Sequence, residues 1–401
     1  MKKYVIFVYL LSLSALLNAQ NDTLCTDTVE KPLPWPENIV ARLDTLMQEP
    51  LLKRSQLGLM VYDLTADSTL FRYGERQTLR PASTMKLVTA ITALDRLGSN
   101  YQFRTSLYYT GSINNNTLTG DVYCVGGMDP RFNSDDMNAF VEGIRRMGVD
   151  TIRGRLIADL TMKDDKMLGE GWCWDDDNPV LTPLLIGKKD EFLKRFVEEL
   201  RDKNVTVEAD CGEGALPNGA YIVCSRFHSL DQILQRMMKE SDNLYAESMF
   251  YQVAAAGNTR RASALNARQH IRKLVNRIGL DASNYKFADG SGLSLYNYVT
   301  PELMVRLLRY AYRNPNIFES LYPALPIAGE DGTLSKRMKD PFTRGNVHAK
   351  TGTLTGISSL AGYCLSANNH VLAFCIINQG VLRNSSGRAF QDKVCSVLCQ
   401  P

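Results

Sequence analysis

The sequence predicts an α+β fold, and two features of its pattern lead to that conclusion. Strand-like runs near both ends of the chain flank a helical middle, which favours one antiparallel sheet built from both ends and flanked by helices. Between about 101 and 224 the pattern changes to short strands and turns. We therefore expect a main domain formed by residues 20–100 and 225–401, with residues 101–224 inserted into it as a smaller α+β domain.

The first predicted elements are a hairpin and a long helix. "LGLMVYDL" and "TLFRYGE" are strand candidates, and "TADS" between them supplies the turn. A helix is predicted to begin at Ser83 and to end at Gly98, because apolar residues recur there every three to four positions. Few charges interrupt the middle of this helix, so we expect it to be buried on several sides.

The inserted region and the second half of the chain follow the same reasoning. "FRTSLYYTG", "TLTGDVYCVGG" and "DTIRGRLIADLT" are strand candidates, whereas "SDDMNAFVEGIRRMG" and "KKDEFLKRFVEELRDKN" have helical spacing. From 229 two helices are separated by "KESDN", another helix covers 258–278, and "TPE" starts a further one. "GNVHAKTGTL", "SSLAGYCLS" and "HVLAFCIINQ" are the closing strands, and a terminal helix is predicted over 388–399.

The composition argues against several classes of function. The 401 residues are 44% apolar and 22% charged, which is ordinary for a globular protein, and the net charge of +3 is spread along the chain. This distribution gives no reason to expect a nucleic-acid partner. The four histidines are scattered without the HExxH spacing and no CxxC pair occurs, so we expect no metal site and no other cofactor.

The first residues have the pattern of an export signal. Lys2 and Lys3 form a basic start, residues 4–17 are apolar but short for a membrane span, and the small Ala19 precedes a predicted cleavage site. We expect residues 1–19 to be a signal peptide; an uncleaved membrane anchor is the alternative. The mature protein should then be soluble in the periplasm or cell envelope, because no later segment is long and apolar enough to span a bilayer.

Nine cysteines occur in the chain. They are Cys25, Cys124, Cys173, Cys211, Cys224, Cys364, Cys375, Cys395 and Cys399. An exported protein can form disulfides, but an odd count leaves at least one thiol out. We expect most of them to be small buried residues or to form structural bridges.

Three short motifs follow one another along the chain, each in a suitable predicted element. They are Ser83-Thr84-Met85-Lys86 at a helix start, Ser241-Asp242-Asn243 in a helix-breaking loop, and Lys350-Thr351-Gly352, followed by Thr353, in a strand. A Ser-x-x-Lys sequence alone is common by chance, whereas the ordered trio is specific. In known proteins the trio is typical of class A β-lactamases and penicillin-binding proteins.

The first motif joins a nucleophile to a base. A serine hydroxyl is a poor nucleophile unless a base takes its proton, and Lys86 shares a helix face with Ser83. Lysine is a base only when neutral, and its pKa is lowered by burial or by a neighbouring cation, for which Lys350 is the candidate. The helix start at Ser83 should stabilise a developing oxyanion, with the backbone N–H of Thr353 as the second donor.

The other two motifs provide a relay and a receptor for an anion. Ser241 can pass a proton between Lys86 and a leaving amine, and the amide of Asn243 can hold both Lys86 and a substrate carbonyl. The third motif offers a cation and two hydroxyls on an exposed strand, which suits a substrate's terminal carboxylate. We assign this substrate-binding role to Lys350, Thr351, Gly352 and Thr353.

Each motif also has an ordinary structural explanation. Ser83 could be a helix cap, Ser241-Asp242-Asn243 could mark a helix kink, and Lys350 could be a solvated strand residue. Three separate explanations of this kind leave the order of the motifs unaccounted for, so we favour the catalytic interpretation.

Longer segments extend the resemblance to a known family. "LTGDVYCVGGMDPRF", "MMKESDNLYAESM", "DGSGLSLYNYVTPELMVRLL" and "GNVHAKTGTLTGISSLAGY" resemble the class C low-molecular-mass penicillin-binding proteins, the D-alanyl-D-alanine carboxypeptidase/endopeptidases of peptidase family S13. The resemblance covers nearly all of the mature chain. It implies a β-lactamase/transpeptidase-like domain and a serine acyl-enzyme reaction on peptidoglycan stem peptides, either as carboxypeptidase alone or also as DD-endopeptidase. It further implies that β-lactams inhibit the enzyme by acylating Ser83.

Departures from the family pattern concern the far end of the substrate. The family commonly carries two modules between the first two motifs, whereas "PVLTPLLIGKKDEFLKRF" leaves so little chain that we expect the smaller, nested module to be absent. Leu295 stands where the family often has an Arg associated with gripping a carboxylate of the stem peptide. Asp159 matches an acidic position that can hold the stem peptide's side-chain amine; a strand-end turn is its ordinary explanation.

Two other functions stay open at this point. A β-lactamase needs a fast deacylating base, usually a Glu on a dedicated loop, and the sequence has no clear ExxLN-like segment. A non-catalytic penicillin-binding or wall-binding protein of the same fold would have no need of an intact Ser83, Lys86, Asn243 and Lys350.

Overall fold

The structure is a computed structural model that describes residues 33–174, 177–257 and 260–401. The predicted signal peptide and Cys25 lie outside the described residues. By its internal contacts the chain divides into residues 1–38 and residues 39–401, and the account below concerns the second unit.

Twelve strands fall within the described residues. They are β1 (Gln56–Asp63), β2 (Ser68–Tyr73), β3 (Gln102–Tyr109), β4 (Ser112–Asn114), β5 (Thr117–Thr119), β6 (Val122–Val125), β7 (Thr151–Asp159), β8 (Thr206–Glu213), β9 (Tyr221–Ser229), β10 (His348–Leu354), β11 (Ile357–Leu365) and β12 (Val371–Gln379).

The described residues also form ten α-helices. They are α1 (Glu37–Leu46), α2 (Met85–Leu97), α3 (Ser134–Arg146), α4 (Phe192–Asp202), α5 (Leu230–Lys239), α6 (Asn243–Ala255), α7 (Ala264–Arg277), α8 (Pro301–Tyr312), α9 (Pro315–Ala324) and α10 (Asn384–Cys399).

The first sheet joins strands from both ends of the chain. Its five antiparallel strands run in the order β10, β11, β12, β1, β2, so the prediction of one sheet built from both ends is confirmed. Nearly every residue of β11 and β12 is buried, because helices α8 and α10 both pack on this sheet. The helical core beside it centres on α2 and α6, which contact each other.

The second sheet is mixed and has seven strands from the region 102–229. Its order is β4, β5, β7, β6, β3, β9, and β8 pairs with β7, which is parallel to β5, β6 and β8. Helices α3 and α4 cover one side through an aromatic cluster of Phe132, Phe140 and Phe196. The predicted end of the insert at 224 falls inside β9, because Cys224 pairs with Leu107 of β3. The assignment of a separate inserted domain stays a prediction.

Several elements differ from the prediction. Helix α7 begins at Ala264 rather than at 258, because Ser263 caps it in a capping box with Asn266; residues 258–259 lie outside the described chain. Helix α10 starts at Asn384 instead of 388. Several further elements, among them α1, β4, α9 and β9, have no counterpart among the predicted ones.

Helix α2 begins at Met85, so the prediction that it starts at Ser83 is wrong by half a turn. Ser83 lies in a short 3-10 turn, Ala82–Thr84, in front of the helix. Ala82 has a φ of +48°, in the left-handed region, so right-handed helical backbone does not extend to residues before Ser83. The Thr84 hydroxyl donates to the Pro81 carbonyl at 2.7 Å and stabilises the turn.

No helix within the described residues has the length and apolar content that crossing a membrane requires.

Candidate active site

Ser83 is presented by a turn that other segments hold in place. Gly292 passes so close that a Cβ at that position would lie 1.9 Å from the Ala82 carbonyl oxygen. On the other side, a Cβ at Gly352 of β10 would lie 3.0 Å from the Ser83 backbone nitrogen. Glycine is therefore required at both contacts, and the half-buried Ser83 lies between β10 and the segment around Gly292.

Lys86 reaches Ser83 from the first turn of α2. Its Nζ donates to Ser83 Oγ at 3.0 Å, to Asn243 Oδ1 at 2.8 Å and to the Ser291 carbonyl at 2.8 Å. These three bonds use all three N–H groups of an ammonium. A neutral amine that keeps the bonds to Asn243 and Ser291 directs its lone pair at Ser83, which is the geometry a general base requires.

Burial is the main influence on the charge of Lys86. The side chain has no solvent exposure, and this desolvation lowers the pKa of Lys86 to about 8 against the opposing effect of the carboxylates of Asp289, Glu247 and Asp242. Lys350 was predicted to be the cation that lowers this pKa. Instead, burial first and the Lys86 charge second hold the pKa of Lys350 well below 10.5.

The second motif forms the junction between α5 and α6. Ser241 has a φ of +60°, which a non-glycine residue adopts only when its surroundings impose it. Asp242 is the N-cap of α6, and its side chain accepts the Tyr245 N–H at 3.4 Å. Asp242 also accepts hydrogen bonds from Lys188 and from Arg236 Nε, the latter at 3.1 Å. Burial alone would raise the pKa of Asp242, but these two cations hold it below its usual value.

The third motif lies on β10 and faces the second. Lys350, which has no solvent exposure, donates to Ser241 Oγ at 2.8 Å and to the Thr351 carbonyl at 2.7 Å. The Thr351 hydroxyl donates to Thr333 Oγ1 at 2.7 Å, and Thr353 is exposed. Ser241 thus bonds to Lys350, whereas Lys86 bonds to Ser83 and Asn243.

The structure places Asp159 away from this hydrogen-bonded group. Its Oδ1 accepts the Thr161 N–H at 2.9 Å and the Thr161 hydroxyl at 2.6 Å, and its Oδ2 accepts the Leu216 N–H at 2.8 Å. It lines a cavity of about 780 Å³ beside the second sheet, together with Arg104 and Gln252, and none of the motif residues borders that cavity. The observed bonds fit a strand-end turn.

Leu295 has a half-exposed side chain. Its carbonyl accepts a hydrogen bond from Arg80 Nε at 2.9 Å, and another nitrogen of the same guanidinium donates to the Tyr298 hydroxyl at 3.0 Å. The Arg80 guanidinium therefore lies beside the backbone of Leu295, although the Leu295 side chain itself is aliphatic.

Several residues beside the site were not found by sequence reasoning. Ser291 accepts from Lys86, and buried Asp289 holds the same segment through Trp172 Nε1 at 2.9 Å and the Ser294 N–H at 2.6 Å. In the sequence these residues are marked only by "DGSGLS", a pattern that indicates a polar turn and does not point to Lys86. Lys188 lies in a two-residue turn in which it and Gly187 both have positive φ, and nothing in its surrounding sequence points to Asp242.

Metal ligands and disulfides are absent from the part of the chain that the structure describes. No group of three or more His, Cys, Asp or Glu side chains there could hold a metal ion. The eight cysteines other than Cys25 are free thiols, five of them buried, so none of these eight forms the structural bridge that was one of our two expectations.

Comparison with known proteins identifies the family. The family model described as D-Ala-D-Ala carboxypeptidase 3 (S13) matches residues 39–184 and 187–400. A D-alanyl-D-alanine carboxypeptidase of Actinomadura sp. strain R39 is 26% identical over 438 residues, covering 84% of this chain and 80% of the relative. The D-alanyl-D-alanine carboxypeptidase DacB of Haemophilus influenzae is 25% identical over 414 residues, covering 82% of this chain and 86% of the relative.

A solved structure shows the same fold. The crystal structure of penicillin binding protein 4 from Haemophilus influenzae, in complex with a β-lactam, matches with a TM-score of 0.77 at 23% identity. The match covers 90% of this chain and 100% of that chain, which confirms the predicted fold. Because the family model matches almost all of residues 39–400, the chain belongs to the D-Ala-D-Ala carboxypeptidase 3 (S13) family, whose members are serine hydrolases.

Proposed function

We propose that this protein hydrolyses the terminal D-Ala-D-Ala bond of peptidoglycan stem peptides through an acyl-enzyme on Ser83. The observation that carries the proposal is the 3.0 Å contact between Lys86 Nζ and Ser83 Oγ, made by a lysine that is fully buried and has a pKa near 8. A nucleophile, a poised base and a cationic strand edge in one place suit acyl transfer from a substrate that ends in a carboxylate.

Acylation begins with proton transfer from Ser83 to neutral Lys86. Ser83 Oγ then bonds to the carbonyl carbon of the penultimate D-Ala, and negative charge develops on the carbonyl oxygen. The backbone N–H groups of Ser83 and Thr353 are our candidates for stabilising that charge, because β10 passes along the Ser83 turn. Collapse of the intermediate breaks the C–N bond, and the proton held by Lys86 goes to the leaving amine of D-Ala.

Deacylation reverses the roles with water as the nucleophile. Lys86 takes a proton from water, the ester carbon accepts the hydroxide, and Ser83 leaves with the proton returned by Lys86. Asn243 holds Lys86 in place during both steps, because its Oδ1 accepts from Nζ at 2.8 Å. Ser241, whose hydroxyl oxygen accepts from Lys350 Nζ at 2.8 Å, is our candidate for a proton relay to the leaving amine.

The terminal carboxylate of the substrate is assigned to the third motif. Lys350 supplies the cation in its protonated form, and the exposed Thr353 hydroxyl supplies a donor at the strand edge. The Thr351 hydroxyl supplies a second donor when it turns away from Thr333 Oγ1. We keep Asp159 as a candidate for the stem peptide's side-chain amine, although its carboxylate is already bonded to Thr161 and Leu216. Cleavage of cross-links that end in D-Ala is an additional activity that the same chemistry supports.

The proposal extends to inhibitors and to location. A β-lactam presents a strained amide next to a carboxylate, so it should acylate Ser83 and persist there. Peptidoglycan lies outside the cytoplasm, so the protein must be exported to the cell envelope to meet its substrate, as the pattern of residues 1–19 predicts.

The test uses two assays on the purified protein. It should label with a fluorescent penicillin and release D-Ala from a stem pentapeptide, and Ser83→Ala should abolish both signals. Ser112→Ala, at an exposed position of β4, is the matched control and should retain both. Labelling that persists in Ser83→Ala would overturn the assignment of the nucleophile, and wild-type labelling without D-Ala release would favour a binding protein.

A further inference from the structure

Glu247 is a buried carboxyl group to which the mechanism above gives no role. It lies on α6 four residues after Asn243, so the two side chains leave the same face of the helix. Its exposed fraction is 1%, and burial of an acid at this depth needs partners that compensate for lost solvation. Those partners lie in the segment that also contacts Lys86.

The partners of Glu247 are two consecutive backbone amides. Glu247 Oε1 accepts the Ser291 N–H at 2.7 Å and the Gly290 N–H at 3.1 Å, and Oε2 accepts the Gly290 N–H at 3.2 Å. The carbonyl of the same Ser291 accepts from Lys86 Nζ at 2.8 Å. One residue therefore connects the carboxyl group to the amine, with its N–H on one side and its C=O on the other.

The protonation of Glu247 depends on its burial and on a neighbouring carboxylate. Burial first, and the Asp289 carboxylate second, raise the pKa of Glu247 to about 8, while bonds from Ser291 and Gly290 oppose the rise. The pKa of Lys86 is also about 8, and Glu247 is one of the three carboxylates that oppose its lowering, with Asp289 and Asp242. From the same helix Tyr251 faces Glu247, and its own pKa is raised by burial and by that carboxyl group.

We propose that Glu247 is a positioning residue for Lys86, which fixes the Ser291 carbonyl against the amine and through its charge sets how readily Lys86 gives up its proton. The inference rests on the proposed function, because it concerns the base of that reaction. It assigns two separable contributions to one side chain: the hydrogen-bond acceptor that orders residues 290–291 and the negative charge beside Lys86.

Two substitutions separate these contributions. Glu247→Gln keeps a carbonyl oxygen in position to accept the Ser291 N–H but removes the charge. Glu247→Ala removes both, so it leaves two buried amides without their acceptor and frees the Ser291 carbonyl to move. The exposed Glu240, at the end of α5 and three residues before Asn243, supplies the matched control Glu240→Gln.

The experiment measures the second-order rate of acylation by penicillin from about pH 6 to about pH 10, with a thermal melt of each variant. The wild-type rate should rise through about pH 8 as Lys86 loses its proton. In Glu247→Gln the midpoint should move to lower pH by about one unit, because a carboxylate that favours the protonated amine is gone. Glu247→Ala should show the same shift of the midpoint, and its plateau rate at high pH should be lower by about tenfold.

The outcomes distinguish this inference from the proposed function. A wild-type protein that is not acylated at all contradicts the proposed function. If the wild type is acylated but Glu247→Gln keeps the wild-type midpoint, or if Glu240→Gln shifts it equally, the charge role of Glu247 is overturned. Wild-type rates for folded Glu247→Ala at high pH overturn the ordering role.

Discussion

At the scale of a single residue, Lys350 shows that a side chain assigned to substrate binding can reduce the stability of the fold. It is fully buried, and its bonds go to the Ser241 hydroxyl and the Thr351 carbonyl; among the described residues no carboxylate forms an ion pair with it. A buried cation without a counter-charge destabilises a fold unless it loses its proton. This is the reason why burial and Lys86 lower its pKa.

We expect Lys350→Met to stabilise the protein at neutral pH. The pKa of Lys350 is lower in the folded protein than its unfolded value of 10.5, so the buried charge reduces the free energy of unfolding. This destabilisation is complete at a pH below the folded pKa and disappears above about pH 10.5, where the lysine is neutral in both states. The melting temperature of Lys350→Met should exceed that of the wild type by about 2 °C at about pH 7, and the gain should shrink towards about pH 10. Lys189→Met, at an exposed lysine, should show no such trend. A gain that is constant with pH would contradict this account.

Short motifs made part of the site predictable from sequence, because each motif needs only local order. Ser83 and Lys86 are three residues apart, and the structure places their side chains within hydrogen-bonding distance. Glu247 and Ser291 were not predictable in the same way. Their contacts span 44 positions to each other and 205 positions from Ser291 to Lys86, and an acid inside an apolar helix reads as a surface residue until its neighbours are known.

At the scale of elements, a tight turn in the region 184–190 contacts the loop that carries Ser241 and Asp242, because Lys188 bonds to Asp242. Ile186 and Lys189 close a two-residue hairpin through backbone bonds at 3.0 and 2.9 Å, and Gly187 and Lys188 supply the positive φ angles that such a turn needs. The two matched segments of the family model meet at 184 and 187, beside this turn. We propose that the turn stands in place of the nested module, and that Lys188 holds Asp242 from there.

We expect Lys188→Met to slow acylation by about three- to tenfold, because Asp242 loses one of its two cations and the strained Ser241 turn is held less firmly. The measurement is the rate of penicillin labelling at fixed pH. Lys189→Met in the same turn is the control. Equal rates for wild type and Lys188→Met would show that Arg236 alone is sufficient to hold the loop.

The elements that the sequence predicted and those that it missed differ in how they are stabilised. The hairpin β1–β2 and strands β10 to β12 have strong apolar runs separated by turn residues. Strand β9 is missed because its residues are only partly buried, as Tyr221 and Ile222 show, so it lacks a clear alternation. It is held by pairing with β3, more than 100 positions earlier in the chain.

At the scale of the whole molecule, the C-terminal helix completes the first sheet. Helix α10 packs on β11, where Gln391 Nε2 donates to Ser358 Oγ at 3.0 Å between buried side chains. Phe390, Val394 and Leu398 are buried with it.

Removal of residues 384–401 should therefore abolish folding. Three large apolar side chains contribute about 5 kcal/mol or more together, which is comparable with the whole stability of a typical domain. The truncated chain should show no cooperative melt and no penicillin labelling, whereas a chain lacking only the exposed Pro401 should behave as wild type. A cooperative melt near the wild-type temperature in the longer truncation would contradict this expectation.

The position of β1 has a consequence for the newly made chain. Its two edges are filled by β2, which follows at once, and by β12, and the pairing of Gln56 with Gln379 spans 323 positions. While the chain is being synthesised, β1 therefore presents an open, apolar edge until the last strand, β12, has emerged. Such edges invite pairing with other chains, so a chaperone that keeps the nascent polypeptide unfolded should raise the yield of this protein more than that of one whose neighbouring strands are consecutive.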